Sequence, residues 1–126
     1  EREQLGVVAD QVGCPSSTLN LATACWAVIT SNHEGMGLPP VLHWCDAGAA
    51  SWYDVSVAVG ELAMDLGLLE RAATVNPIST ADYPTPASRP GYSLLDCQAS
   101  RQMLQLEAQP WRAALKDVLQ AIPTNP

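Results

Sequence analysis

Apolar positions in this chain come in short blocks whose period changes from one block to the next. "LGVVADQ", Leu5 to Gln11, is an apolar, β-branched run stopped by Gly13 and Pro15, which predicts a short strand. In the following "SSTLNLATACWAVITS", Leu19, Ala22, Trp26 and Ile29 fall on one face at helical spacing, with Ser16, Ser17 or Thr18 available as N-cap. "GMGLPP" reads as a turn, and "VLHWCD", Val41 to Asp46, as a strand apolar on both faces, the kind found inside a doubly covered sheet. Ser51 and Asp54 then have the S-x-x-D spacing of a capping box ahead of "WYDVSVAVGELAMDLG", and Gly67 suits the left-handed residue that closes a helix.

"TVNPI", Thr74 to Ile78, predicts another short strand, after which Pro84, Pro86 and Pro90 crowd a loop around Arg89. "YSLLD" reads as an extended piece, Asp96 as the cap of a helix through "CQASRQMLQ", and Pro110 as the first turn of a final helix, "PWRAALKDVLQAI", which Pro123 ends. Trp26, Trp44 and Trp111 sit in apolar patterns and are assigned to the core. Trp52 is left open between core and cleft, since the first turn of a helix often lines a cleft.

The sum is an α/β pattern, mixed α+β for the chain taken alone, with about four helices and a few short strands in one domain, residues 1–126. Val41 to Asp46 poses a difficulty. A buried strand needs neighbours on both edges to pair its backbone, and few candidates exist. Either the sheet is very small or its remaining strands belong to another polypeptide or a missing segment.

Charge sharpens this picture. Charged residues are 15% of the chain, against about 25% in a typical soluble domain, which suggests that part of the surface lies against something else. The net charge is −7 and the six cations are scattered, which argues against nucleic acid and anionic membranes as partners. With no run of about 18 apolar residues, no signal-peptide pattern and no C-x-x-C spacing, Cys14, Cys25, Cys45 and Cys97 are expected to be reduced thiols of a cytoplasmic protein, two structural disulfides being the alternative. His33 and His43 lack the company a zinc site needs, so no metal is expected.

Catalytic motifs are absent from these residues: no glycine-rich dinucleotide turn, no Walker A, no G-x-S-x-G, and no tyrosine followed four residues on by lysine. The proline loop is the one chemical feature. Prolines reduce the entropy lost on ordering, so the loop can present the Arg89 guanidinium to a phosphate or carboxylate at little cost, with Tyr83 and Tyr92 offering flat surface for a base or sugar. The alternative is that Arg89 pairs with Asp82 or Asp96 and the prolines merely carry the chain across a surface.

Four segments, "VVADQVGCPSS", "LHWCDAGAASWYD", "TADYPTPASRPGYSLLDC" and "WRAALKDVL", resemble in order and spacing the carboxyl-terminal part of bacterial dTDP-4-dehydrorhamnose reductases, from about Leu5 to Leu119. That family belongs to the extended short-chain dehydrogenase/reductases. The resemblance implies a substrate-binding domain that holds a dTDP-sugar. An amino-terminal Rossmann domain with NADPH or NADH and the Tyr-x-x-x-Lys pair is absent from this chain, so no cofactor binding and no catalytic residue is expected here. It implies substrate contacts at Arg89, Gln11, Pro15, Tyr92 and Ser93, with Gly13 in the same "DQ-x-G-x-P" segment. Ser16 replaces a common threonine, and Ser88 a frequent second arginine, a change expected to weaken phosphate binding. "VLHWCD" corresponds to a strand that joins the Rossmann sheet in such enzymes. A non-catalytic module that self-associates or binds a partner through an apolar face, whether as a homo-oligomer or against the missing domain, is the alternative function.

Overall fold

In the computed structural model, which describes residues 3–123, β1 (Gln4–Val8) and β4 (Thr74–Ile78) pair in parallel, Leu5 opposite Val75 and Val8 opposite Ile78. The ends of the 1–126 unit, residues 1–2 and 124–126, lie outside the described residues. Between the two strands run β2 (Val12–Gly13), α1 (Thr18–His33), β3 (Ala50–Ser51) and α2 (Trp52–Asp65). A short 3-10 turn at Thr80–Asp82, then α3 (Gln98–Leu104) and α4 (Trp111–Gln120), complete the chain. The architecture is mixed, with four helices and two separate two-stranded sheets among the described residues.

The predicted helix ends are realised in atomic detail. Ser51 and Asp54 form the capping box of α2, the Asp54 amide donating to Ser51 Oγ at 3.2 Å and the Ser51 amide to Asp54 Oδ2 at 2.8 Å. Gly67, at φ +70°, closes the other end: its amide donates to Met64 O and that of Leu68 to Ala63 O, the paired bonds of a Schellman motif. Ser17 caps α1, its Oγ accepting from the Asn20 amide at 3.0 Å. At α3, Asp96 Oδ1 accepts from the Gln98 amide at 3.0 Å, while Cys97 holds the N-cap position.

The core lies around α2, which packs on β1, β3, β4 and α4 and buries Ala58, Leu62 and Ala63 against Val8, Ala114 and Leu119. Removing such apolar surface from water contributes about 25 cal/mol per Å².

Two expectations are corrected. Val41 to Asp46 is not a strand; it is an extended strap, and its polar backbone is paired one group at a time. The His43 amide donates to Ser100 Oγ at 3.1 Å and the Asp46 amide to Ser16 Oγ at 3.0 Å. Arg101 Nη2 donates to the carbonyls of Cys45 and Asp46 at 3.2 and 3.3 Å. Side chains of α3 and of the α1 entry do what sheet neighbours were expected to do, so the block is held with no ladder, Cys45 and Asp46 buried, Leu42 and Trp44 half-buried and Val41 exposed.

The second correction concerns α1. Its Leu19–Trp26–Ile29 stripe does not enter the core: Leu19 is 72% and Trp26 70% exposed, and Ala24 is the apolar residue that α1 buries most deeply. Helical spacing identifies a face, but which face is covered depends on the neighbour, here α3. Trp44 and Trp111 are half-buried, and Trp52 is exposed.

Candidate functional site

The geometry of the site starts at the carboxyl end of β1. There Asp10 receives the Thr80 hydroxyl at 2.6 Å on Oδ1, and the Thr80 amide at 2.9 and 3.0 Å on its two oxygens. Gln11 Nε2 donates to the same Thr80 Oγ1 at 3.1 Å. These bonds hold the Asp10 carboxyl below its usual range, the Thr80 hydroxyl having the largest effect. One step on, the Ser79 hydroxyl and amide converge on Asp82 Oδ2 at 2.6 and 3.0 Å, lowering that carboxyl as well. The proline loop therefore starts from a fixed base.

Its far end is fixed too. The Val12 amide donates to Gly91 O at 2.9 Å and the Ser93 amide to Val12 O at 2.8 Å, so residues 91–93 run beside β2. Gly13 eases this approach, since a Cβ there would stand 3.0 Å from Ser93 Oγ and the serine side chain would have to give. Between these anchors the loop is solvent-exposed throughout, and Thr85 Oγ1 donates to Ala87 O at 2.8 Å inside it.

Loop, β1, the 11–16 segment, the strap and the first turn of α2 enclose a cleft of about 870 Å³, within the range of small-molecule sites. Of the five residues expected at a substrate site, Gln11, Pro15, Arg89 and Ser93 line this cleft, as does Gly13. Tyr92 does not; it is 68% exposed and meets β2 through its backbone. Arg89 is the only charged side chain among the lining residues. Neither expected competitor holds it: Asp82 is taken by Ser79 and Asp96 by the Gln98 amide, and no ion pair to Arg89 exists among the described residues.

The remaining lining combines aliphatic side chains such as Val7, Val8, Val55 and Leu95 with aromatic Trp44, Trp52 and Tyr83, the hydroxyls of Ser16, Ser51, Ser56 and Thr85, and the thiols of Cys14 and Cys45. Trp44 and Thr85 carry no sequence signal as site residues. Trp52 was legible from its first-turn position. The Asp10–Thr80 anchor was not, because its partners are 70 residues apart. Among the described residues no carboxylate, imidazole or ammonium group lines the cleft, and its titratable groups besides Arg89 are the Tyr83 phenol and the Cys14 and Cys45 thiols.

Carboxylates sit at the N-termini of α1 and α2. At α1 the Asp46 carboxylate, 1% exposed, accepts from the Ser17 amide and from Asn20 Nδ2, both at 2.9 Å, and at α2 Asp54 closes the capping box. Among the described residues no cluster of His, Cys, Asp or Glu could hold a metal ion, and no helix is long and apolar enough to cross a membrane.

Fold and cleft define a mixed α/β domain with a cleft of small-molecule size whose one charged lining side chain is Arg89. Comparison with known families is specific: the RmlD substrate binding domain model matches residues 1–123, and the chain belongs to that family. It is 35% identical over 118 residues to a dTDP-4-dehydrorhamnose reductase of Aggregatibacter actinomycetemcomitans, covering 93% of this chain and 40% of the relative. The corresponding Escherichia coli K12 enzyme is 31% identical, with 99% of this chain and 42% of the relative covered. Among solved structures, the dTDP-4-dehydrorhamnose reductase of Clostridium acetobutylicum superposes with a TM-score of 0.78 at 32% identity, over 94% of this chain and 40% of its own. That of Bacillus anthracis, solved in complex with NADP, gives 0.77 at 25% identity over 96% of this chain and 39% of its own. The chain thus spans about 40% of the length of the relatives it matches.

Proposed function

We propose that the cleft binds the dTDP portion of a dTDP-sugar, and that the chain supplies the substrate side of the NAD(P)H-dependent reduction of dTDP-4-dehydro-L-rhamnose to dTDP-L-rhamnose. Arg89 pairs with the diphosphate, Trp52 and Tyr83 offer faces to the base or sugar, and Gln11 and Ser93 hydrogen-bond hydroxyls or ring carbonyls. The observation that carries this reading is the single unpaired guanidinium in a cleft otherwise free of charge, in a chain whose net charge is −7. General electrostatics here repels anions, so one that binds does so by local, bidentate contact.

A nicotinamide cofactor would supply the hydride for such a reduction. Carboxylates already sit at the N-termini of α1 and α2 and the sequence holds no glycine-rich turn, so the chain's own residues do not fit a dinucleotide, and that role is assigned to a part of the reductase carrying a glycine-rich turn and the Tyr-x-x-x-Lys pair. The chain alone is expected to bind dTDP and to reduce nothing. Calorimetric titration tests this: dTDP binds, and thymidine, lacking the diphosphate, binds at least about tenfold more weakly, the loss of one charge-assisted contact. Equal affinity for the two removes the diphosphate from the account.

A second reading, an interaction module, is favoured by the exposed Leu19–Trp26–Ile29 stripe on a helix with no Asp, Glu, Lys or Arg. Light scattering at high concentration separates the readings: a dimer dispersed by Trp26→Ser supports it, and a monomer removes it.

A further inference from the structure

Three of the four cysteines converge at the wall of the cleft, and nucleotide-sugar binding makes no use of their chemistry. Cys14 and Cys45 line the cleft, while Cys97 is 3% exposed, with its Sγ 3.5 Å from Cys45 Sγ. The two sulfurs belong to segments 52 residues apart: Cys45 to the strap, Cys97 to the N-cap of α3. Their approach is held from both sides. Arg101 Nη2 of α3 donates to Cys45 O at 3.2 Å, and Ser100 Oγ accepts the His43 amide at 3.1 Å, so strap and helix are joined by the residues that flank the thiols. Cys14 also lies beside Cys45, but its thiol donates to Asp46 O at 2.9 Å, and Cys25 is exposed on α1.

We propose that Cys45 and Cys97 form an oxidisable dithiol, which a small hydroperoxide entering through the cleft converts to a disulfide that ties the strap to the head of α3. In the first step the Cys45 sulfur attacks the peroxide: an S–O bond forms, the O–O bond breaks, the sulfur loses two electrons and the peroxide leaves as alcohol, or as water when it is hydrogen peroxide. In the second, the Cys97 sulfur attacks Cys45, the S–S bond forms, the S–O bond breaks, and the hydroxyl departs as water with the Cys97 proton. Two thiols and one hydroperoxide thus give one disulfide, one alcohol and one water. Burial pushes both thiols above the ordinary cysteine range, so the pair is a slow reporter of sustained oxidation and not a fast peroxidase.

The proposal stands apart from the identity of the ligand, and its test needs none. The Cys25→Ser chain, with its exposed thiol removed, is held in hydrogen peroxide, alkylated under denaturing conditions and mapped by mass spectrometry without reductant. The expected result is a Cys45–Cys97 linked peptide in the monomer band, lost after dithiothreitol, with Cys14 alkylated and titratable thiols falling from three to one. Cys97→Ser in that background abolishes the link and leaves a dimedone-reactive sulfenic acid on Cys45. Separate alkylated Cys45 and Cys97 peptides after peroxide, or a Cys14–Cys45 link in their place, overturn the proposal. The parent measurement decides the matter even if Cys97→Ser fails to fold.

Discussion

Thr80 and Asp10, 70 residues apart, are joined by a 2.6 Å hydroxyl–carboxylate bond and by the Thr80 amide on both carboxylate oxygens. The base of the proline loop is thereby tied to the end of β1, and Gln11 is tied to the same hydroxyl. Thr80→Val keeps the shape but removes the hydroxyl donor and the Gln11 acceptor. Its expected effect is a several-fold loss of dTDP affinity with a modest fall in melting temperature at neutral pH, read by titration and thermal unfolding side by side. Unchanged affinity would show that the anchor does not position the loop for binding.

Asp10, Asp54 and Asp82 are each held below the ordinary carboxyl range, by Thr80, Ser51 and Ser79 respectively. A carboxyl lowered in the folded state adds stability that is present above its unfolded value, near 3.8, and is lost as pH falls through the folded value. Stability is therefore expected to be flat with respect to these groups from pH 7 to about 5 and to fall below about 4. Substituting all three with Asn flattens that acid limb, as measured by urea unfolding across pH.

Asp46 is the buried acceptor on which the α1 entry converges. Asp46→Ala leaves the Ser17 amide and Asn20 Nδ2 without that acceptor, at a cost of about 3 kcal/mol. Chemical denaturation reads this directly, and a loss below about 1 kcal/mol would mean that water or a rearranged Gln109 replaces the carboxylate.

Trp26, by contrast, is expected to be dispensable for folding. Trp26→Ser changes a 70%-exposed side chain between residues of similar helix propensity, and its effect on monomer stability is expected to stay within about 0.5 kcal/mol. A loss of several kcal/mol would return this tryptophan to the core.

What the chain reveals before folding divides along the range of the interactions. Ser51 with Asp54 and Gly67 with its Schellman bonds are set by residues a few positions apart, and were legible as spacing. β1 and β4 were legible as β-branched runs, and Arg89, Gln11, Pro15 and Ser93 as cleft residues through family resemblance. Val41 to Asp46 misled because the same apolar block suits a sheet interior or a strap, and the choice rests on Ser100, Arg101 and Ser16, whose hydroxyls and guanidinium carry no local sign of that task. The α1 stripe misled for the complementary reason, since periodicity marks a face without naming its neighbour. Tyr92 shares the loop with Arg89, yet its backbone bridge to Val12 leaves its ring outside the cleft.

The central claim is that Arg89, unpaired and alone in charge among the cleft residues, is the anion clamp of a dTDP-sugar site. Titration of dTDP into the parent chain and into Arg89→Ala tests it most directly. Loss of a charge-assisted phosphate contact is expected to weaken binding by about 1.5–3 kcal/mol, roughly ten- to hundredfold, with Arg89→Lys recovering part of the loss and unfolding unchanged. Equal dTDP affinity in the parent chain and Arg89→Ala would contradict the clamp and leave the prolines as no more than a stiff surface crossing.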